Sequence, residues 1–89
     1  MSNHITKILK RSGDIVDFDQ SKITNAIWKA MQAVEEGSEE LAETLSSKVV
    51  DKIGQKFHFK TIPAVEEVQD VVEEVLIENK LIKTAKDYI

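Results

Sequence analysis

Residues 8–23 read ILKRSGDIVDFDQSKI. Two short runs with bulky apolar residues flank Ser12-Gly13, a pair that suits a tight turn because glycine takes a positive φ without steric cost. The spacing predicts a β-hairpin over residues 6–18 with a two-residue turn. In that register Arg11 faces Asp14, Leu9 faces Val16, and Lys10 projects from the ribbon face opposite to Arg11, since strand side chains alternate. A hairpin alone is marginal in water, so this one has to lie on something. Phe18-Asp19 leads straight into the support, with Asp19 suited to cap a helix.

Outward from that point the periodicity is helical. Ile23, Ala26, Ile27, Ala30, Met31 and Val34 recur on one stripe up to a stop at Gly37, which predicts a helix over about 20–36. Ser38 can cap a second helix, 39–57, striped by Leu41, Ala42, Leu45, Val49, Ile53 and Phe57. His58 to Ile62 alternates briefly before Pro63 and is read as a third short strand. Val65, Val68, Val72, Val75 and Leu76 line a third helix, 64–79, and a fourth covers 82–89. Four amphipathic helices cannot hide their stripes separately, so the expected fold is α+β, mostly α: a four-helix bundle capped by a small β-hairpin or three-stranded sheet.

The sequence has 89 residues, 42% hydrophobic, which suits one domain over 1–89 with a single core. Without cysteine it offers no disulfide, thiolate metal site or cysteine nucleophile, in keeping with a reducing, cytoplasmic setting. No apolar run approaches the ~18 residues that span a bilayer, and the polar start MSNHITK is unlike a signal peptide. Net charge is −4, divided unevenly: residues 1–29 sum to +2 and residues 30–89 to −6. That balance argues against direct binding to nucleic acid or an anionic membrane, which draws on broad positive potential, but leaves room for one compact anion.

Lys22 is the local oddity. It falls at the third position of the first helix, where a Glu or Gln would complete a capping box and where the helix dipole disfavours a cation. Either it is an ordinary solvated lysine, or an anion over the helix end reverses the sign of that argument. Lys10 and Arg11 are open to the same two readings, with Arg11 paired to Asp14 in the bland one. Because hairpin and helix are joined directly, all three cations can converge on one small volume, an arrangement that suits phosphate. There is no GxxxxGK[ST] loop and no GxGxxG after a strand. His4 and His58 are isolated, and the carboxylates of the third helix read as a solvated face with no histidine in metal-ligand spacing, so neither a catalytic residue nor a metal site is assigned. Trp28 lies off the first helix's main stripe, either packed under a neighbour or exposed as an anchor.

The pattern apolar-x-Lys-Arg-x-Gly-x-x-apolar-x-Phe-Asp-x-x-Lys-Ile resembles the opening of the ATP-cone, the regulatory nucleotide-binding domain found at the N-terminus of many ribonucleotide reductases. VEEVQDVVEEVLIEN, residues 65–79, resembles the family's third helix, and TAKDYI, residues 84–89, the alanine-tyrosine segment that opens its last one. The resemblance implies a helical bundle under a β-cap that binds ATP or dATP, with Mg²⁺ on the phosphates, as the allosteric effector of a reductase rather than as the substrate of an enzyme. By matching position it implies phosphate contacts from Lys10, Arg11 and Lys22, a sugar contact from Asp19, an adenine border at Ile8 and Val16, and a polar contact from Gln69. Implied partners are the catalytic part of a reductase or another cone in an oligomer. Two departures stand out: Ala64 occupies a position where Ser or Thr often caps the third helix, and the basic segment that follows the family's last helix is absent, so the chain is expected to be part of a longer protein. Similar cones also serve a repressor of reductase genes and an archaeal phosphoglycerate-type kinase; a helical interaction domain without ligand is the remaining alternative.

Overall fold

The computed structural model describes residues 6–57 and 62–89. Strands β1 (Lys7–Leu9) and β2 (Ile15–Asp17) lead into helices α1 (Gln20–Val34), α2 (Glu39–Phe57), α3 (Val65–Glu78) and α4 (Ile82–Tyr88). The architecture is mostly helical with a small β part.

α1 begins where Asp19 caps it: Oδ1 accepts from the Ser21 N–H at 3.0 Å, which satisfies one of the amides that a helix start leaves without a partner. It stops at Val34, two residues short of the expected end. Glu35 turns left-handed at φ 54°, so that Glu36 N–H reaches Met31 O at 2.9 Å and Glu35 N–H reaches Gln32 O at 3.3 Å. This is a Schellman ending with glutamate in the usual glycine place. α3 ends the same way around Lys80, at φ 65°, with Leu81 N–H on Leu76 O and Lys80 N–H on Ile77 O, each at 2.9 Å. Both ends turn the chain sharply enough to bring the next helix back along the bundle.

Two features favour glycine at position 37. Its φ is +80°, and a Cβ there would stand 2.5 Å from Met31 Sδ. Just beyond it, Ser38 Oγ accepts from Leu41 N–H at 3.1 Å and starts α2 as the sequence predicts. α3 has only Ala64 at its cap position, but Glu67 Oε1 accepts from Ala64 N–H at 2.9 Å, which keeps the returning half of a capping box.

The helices close a ring in which α1 packs on α2 and α4, and α3 packs on the same two. Ile27, Met31, Leu45, Val49, Ile53, Val72 and Leu76 are fully buried at its centre. Trp28 is partly buried and packs against that core, as do Ile8 and Phe18 from the hairpin. The acidic face of α3 is less solvated than its sequence suggests: Lys52 and Lys56 of α2 meet Glu78 at 2.6 Å and Glu74 at 3.1 Å. Such exposed pairs contribute at most about 1 kcal/mol each. Among the described residues no helix is long and apolar enough to cross a membrane.

The hairpin register differs from the expected one by a residue. Ile8 stands opposite Val16 and Leu9 opposite Ile15, so the loop has three residues, Arg11 to Gly13, closed by Lys10 N–H to Asp14 O at 2.8 Å. Gly13 at φ +94° supplies the left-handed step of a three-residue loop, which a two-residue reading of Ser-Gly overlooks. Arg11 therefore does not face Asp14, whose carboxylate instead accepts from the Ser12 hydroxyl at 2.9 Å. The slip matters because it changes which side chains share a face. The third strand expected over 58–62 falls, except for Ile62, outside the described residues. Next to it, Leu9 forms a single parallel bridge with Ala64, and its N–H donates to Pro63 O at 2.9 Å.

Candidate functional site

In the observed register Ile8 and Val16 form a cross-strand pair on the ribbon face that looks toward the bundle. Lys10, two residues on from Ile8, shares that face. Below lie the first turns of α1 and α3 and the end of α4. The space between is a cleft of about 610 Å³, walled by hairpin residues Ile8, Lys10, Val16 and Phe18, with Ile23, Val65 and Val68 as its apolar floor. That volume is in the range of small-molecule sites, about 300–1,000 Å³.

Six of the seven residues expected at a nucleotide site line this cleft: Ile8, Lys10, Val16, Asp19, Lys22 and Gln69. The ammonium groups of Lys10 and Lys22 have neither a hydrogen-bond nor an ion-pair partner among the described residues. Asp17, also at the wall, is engaged by Lys7 and held below the usual carboxylate range by that hydrogen bond and charge. The Asp19 carboxyl is likewise lowered, chiefly by the Ser21 hydroxyl at 2.6 Å and then by the Ser21 N–H. Both bonds fall on Oδ1 and leave Oδ2 as an acceptor.

The seventh residue, Arg11, is placed elsewhere. From the hairpin loop its Nε donates to Glu66 Oε2 at 2.9 Å and its Nη2 to Gln69 Oε1 at 3.0 Å, both on α3. It borders a second, smaller cleft of about 400 Å³, separated from the first by Gln69 and Tyr88, which line both. Gln69 thus has an aligned partner rather than the fully solvated setting its neighbours Glu67 and Asp70 suggest.

Tyr88 belongs to the quoted alanine-tyrosine segment, but the motif reading assigns it no role at the site. It lies seven residues after Leu81 and three after Ala85, both buried, so it continues the inward stripe of α4 and arrives at the cleft wall. Burial raises its phenol above the ordinary tyrosine value. The helical spacing Leu81, Ala85, Tyr88 was the signal available in sequence.

The cleft thus combines a mainly apolar lining, with the Ile8–Val16 pair on the hairpin side, and two ammonium groups that can meet an anion beside the carboxylates of Asp17 and Asp19. Comparison with known proteins places the chain in a family. The family model described as the ATP cone domain matches residues 6–89. The vitamin B12-dependent ribonucleoside-diphosphate reductase of Thermoplasma acidophilum is 43% identical over 90 residues, covering 96% of this chain and 11% of that protein. The ribonucleoside-diphosphate reductase subunit alpha of Chlamydia trachomatis is 32% identical over 91 residues, covering 92% of this chain and 9% of its own length. The chain thus spans about a tenth of the length of these curated relatives. With the family's pattern matched through hairpin and helices alike, the chain belongs to the ATP-cone domain family.

Proposed function

We propose that this domain is a noncatalytic regulatory module that takes ATP or dATP in the large cleft and reports its occupancy to a ribonucleotide reductase. The observation that carries the reading is that Lys10 and Lys22 both line a largely apolar cleft with neither ammonium in a hydrogen bond or ion pair among the described residues. An ammonium left without a partner beside a helix N-terminus is tolerable in water, and a bound phosphate converts it into a charge-assisted contact reinforced by the helix dipole.

The residues present fit such a ligand. Ile8 and Val16 offer an apolar cover for a purine, with Ile23 and Val68 beneath. Lys10 and Lys22 serve the phosphates, joined by Arg11 once it exchanges Glu66 for the ligand. Asp19 Oδ2 serves a ribose hydroxyl, and Gln69 supplies a further polar contact. Mg²⁺ with the triphosphate neutralises part of its charge, which suits a site with so few cations. Among the described residues of the cleft the carboxylates are already engaged, Asp17 by Lys7 and Asp19 by Ser21, in keeping with a nucleotide that is held as an effector rather than hydrolysed.

ATP and dATP differ by one hydroxyl, and they drive opposite responses only where the two complexes differ in stability between assembly states. Asp19 and the main chain beside it are the groups placed to sense that difference. The receiving partner is the catalytic part of the reductase or another cone in an oligomer. Titration calorimetry and ligand-induced melting with ATP, dATP and GTP test the reading. Both adenine nucleotides are expected to bind and GTP to bind more weakly; equal responses from all three would reduce the site to a generic phosphate patch.

A further inference from the structure

Glu36 follows the left-handed turn that ends α1, and its side chain crosses to α4. There Oε1 accepts from Thr84 N–H at 3.0 Å and from the Thr84 hydroxyl at 2.6 Å. Thr84 is fully buried. α4 has no cap of its own, since Leu81 at its start offers no side-chain acceptor. Glu36 supplies that cap from a turn 48 residues earlier in the chain. A carboxylate here also suits the positive end of the helix dipole.

The carboxylate is anchored from behind. Glu36 N–H is tied to Met31 O at 2.9 Å, and the next residue, Gly37, lies against the Met31 sulfur. Glu36 therefore connects α4 to a fixed point on α1. Leu81 N–H on Leu76 O ties the start of α4 to α3, and Leu81 and Ala85 bury the helix against the bundle, but non-directional apolar contacts do not by themselves fix its height against α1. Hydrogen bonds to an N–H and a hydroxyl do, because they tolerate little misalignment. Four residues past Thr84, about one turn along the same face, Tyr88 reaches the cleft.

We propose that Glu36 is a positioning residue for the cleft: by capping α4 from the α1–α2 turn it fixes that helix along the bundle and so fixes Tyr88 in the wall that the ligand meets. The ligand's identity rests on the nucleotide reading above; the effect on Tyr88 does not.

Tyr88 is the sole tyrosine of the sequence, so alkaline titration of tyrosinate absorbance reads it alone. Three variants are compared with the parent after circular dichroism has shown each to be folded. In Glu36→Ala the Tyr88 titration is expected to move down toward that of free tyrosine, whereas Glu36→Gln, which keeps an acceptor oxygen, stays with the parent. Thr84→Val keeps the N–H and removes the hydroxyl, and is expected to fall between them; it carries the test with Glu36→Gln if Glu36→Ala does not fold. ATP affinity is expected to drop about three- to tenfold in Glu36→Ala, with no further drop when the change is made in a Tyr88→Ala background. A folded Glu36→Ala with an unmoved Tyr88 titration, or affinity losses that simply add in the double variant, would overturn the proposal. If the parent binds no nucleotide while the titration shifts as described, the nucleotide reading fails and the positioning role stands.

Discussion

Arg11 and Gln69 are joined across the gap between hairpin loop and α3, with Nη2 donating to Oε1 at 3.0 Å while Nε is occupied by Glu66. The guanidinium is thus held at the edge of the cleft by a partner of the same sign as a phosphate. An exposed pair of this kind contributes about 0.2–1 kcal/mol, less than a charge-assisted contact to phosphate, at about 1.5–3 kcal/mol. Glu66→Gln should therefore raise ATP affinity by up to about fivefold and leave adenosine unchanged. An equal gain for adenosine in calorimetry would show that Glu66 does not act through the phosphates.

Lys22 separates stability from binding. Removing its ammonium from the unfavourable end of the α1 dipole should leave the ligand-free melting temperature unchanged or raise stability by a few tenths of a kcal/mol. The same Lys22→Ala change should weaken ATP about tenfold to hundredfold. Lys29→Ala, on α1 but outside the cleft, serves as the control and should alter neither quantity. Parent-like ATP binding by Lys22→Ala would remove the phosphate site from this end of the cleft.

Glycine should help at the two Schellman endings, and losing it should hurt at Gly37. Glu35 and Lys80 hold left-handed φ of 54° and 65°, so Glu35→Gly and Lys80→Gly should each raise stability by about 0.5–1 kcal/mol in urea unfolding. Gly37→Ala should cost about 1–3 kcal/mol, because it adds strain at φ +80° and drives a Cβ onto Met31 Sδ. A neutral Gly37→Ala would mean that the α1–α2 turn relaxes easily.

Acid should weaken the fold with a defined sign. The Glu36 carboxyl is lowered from 4.5, first by the Thr84 hydroxyl bond and then by the Thr84 N–H, and Glu74 is lowered chiefly by Lys56. For a carboxyl with a depressed native value the unfolded chain takes up protons first, so the stabilisation is complete above the unfolded value and is lost as pH falls through the native one. Melting temperature should hold steady from neutral pH down to the ordinary carboxylate range and decline below it. Glu36→Gln should make that acid limb shallower; an unaltered limb would show that the cap does not titrate with folding.

The helices were legible because each carries its own signals. Asp19 and Ser38 cap as their positions suggest, and the apolar stripes of α1 to α3 turn inward, buried along their middles and half-buried at Ala26, Val34, Leu41, Phe57 and Val65, with Val71 added to the α3 stripe. What escaped depended on contacts distant in sequence or on one dihedral. Ser-Gly permits a two- or a three-residue loop, and only the packing of Ile8 with Val16 over the bundle selects the longer one. The charge pattern near Arg11 shows Asp14 three residues away, whereas its partners lie on α3, more than fifty positions on. The list of cleft residues was mostly legible through the family pattern, but Tyr88 required knowing that α4 runs back toward the hairpin.

The bridge from Leu9 to Pro63 and Ala64 also bears on the order of assembly. Both the ring of helices, closed by α1 on α4, and the hairpin depend on partners distant in sequence, but the ring buries the core whereas the hairpin makes few buried contacts of its own. With a long loop to close and little buried surface to reward it, the half of the cleft contributed by β1 and β2 should dock last in folding and open first in native-state hydrogen exchange. A ligand seated there would act on the weakest unit of the molecule. Its first effect would be to suppress that partial opening, slowing exchange at the Leu9 and Lys10 amides at concentrations that leave the helical core's exchange unchanged.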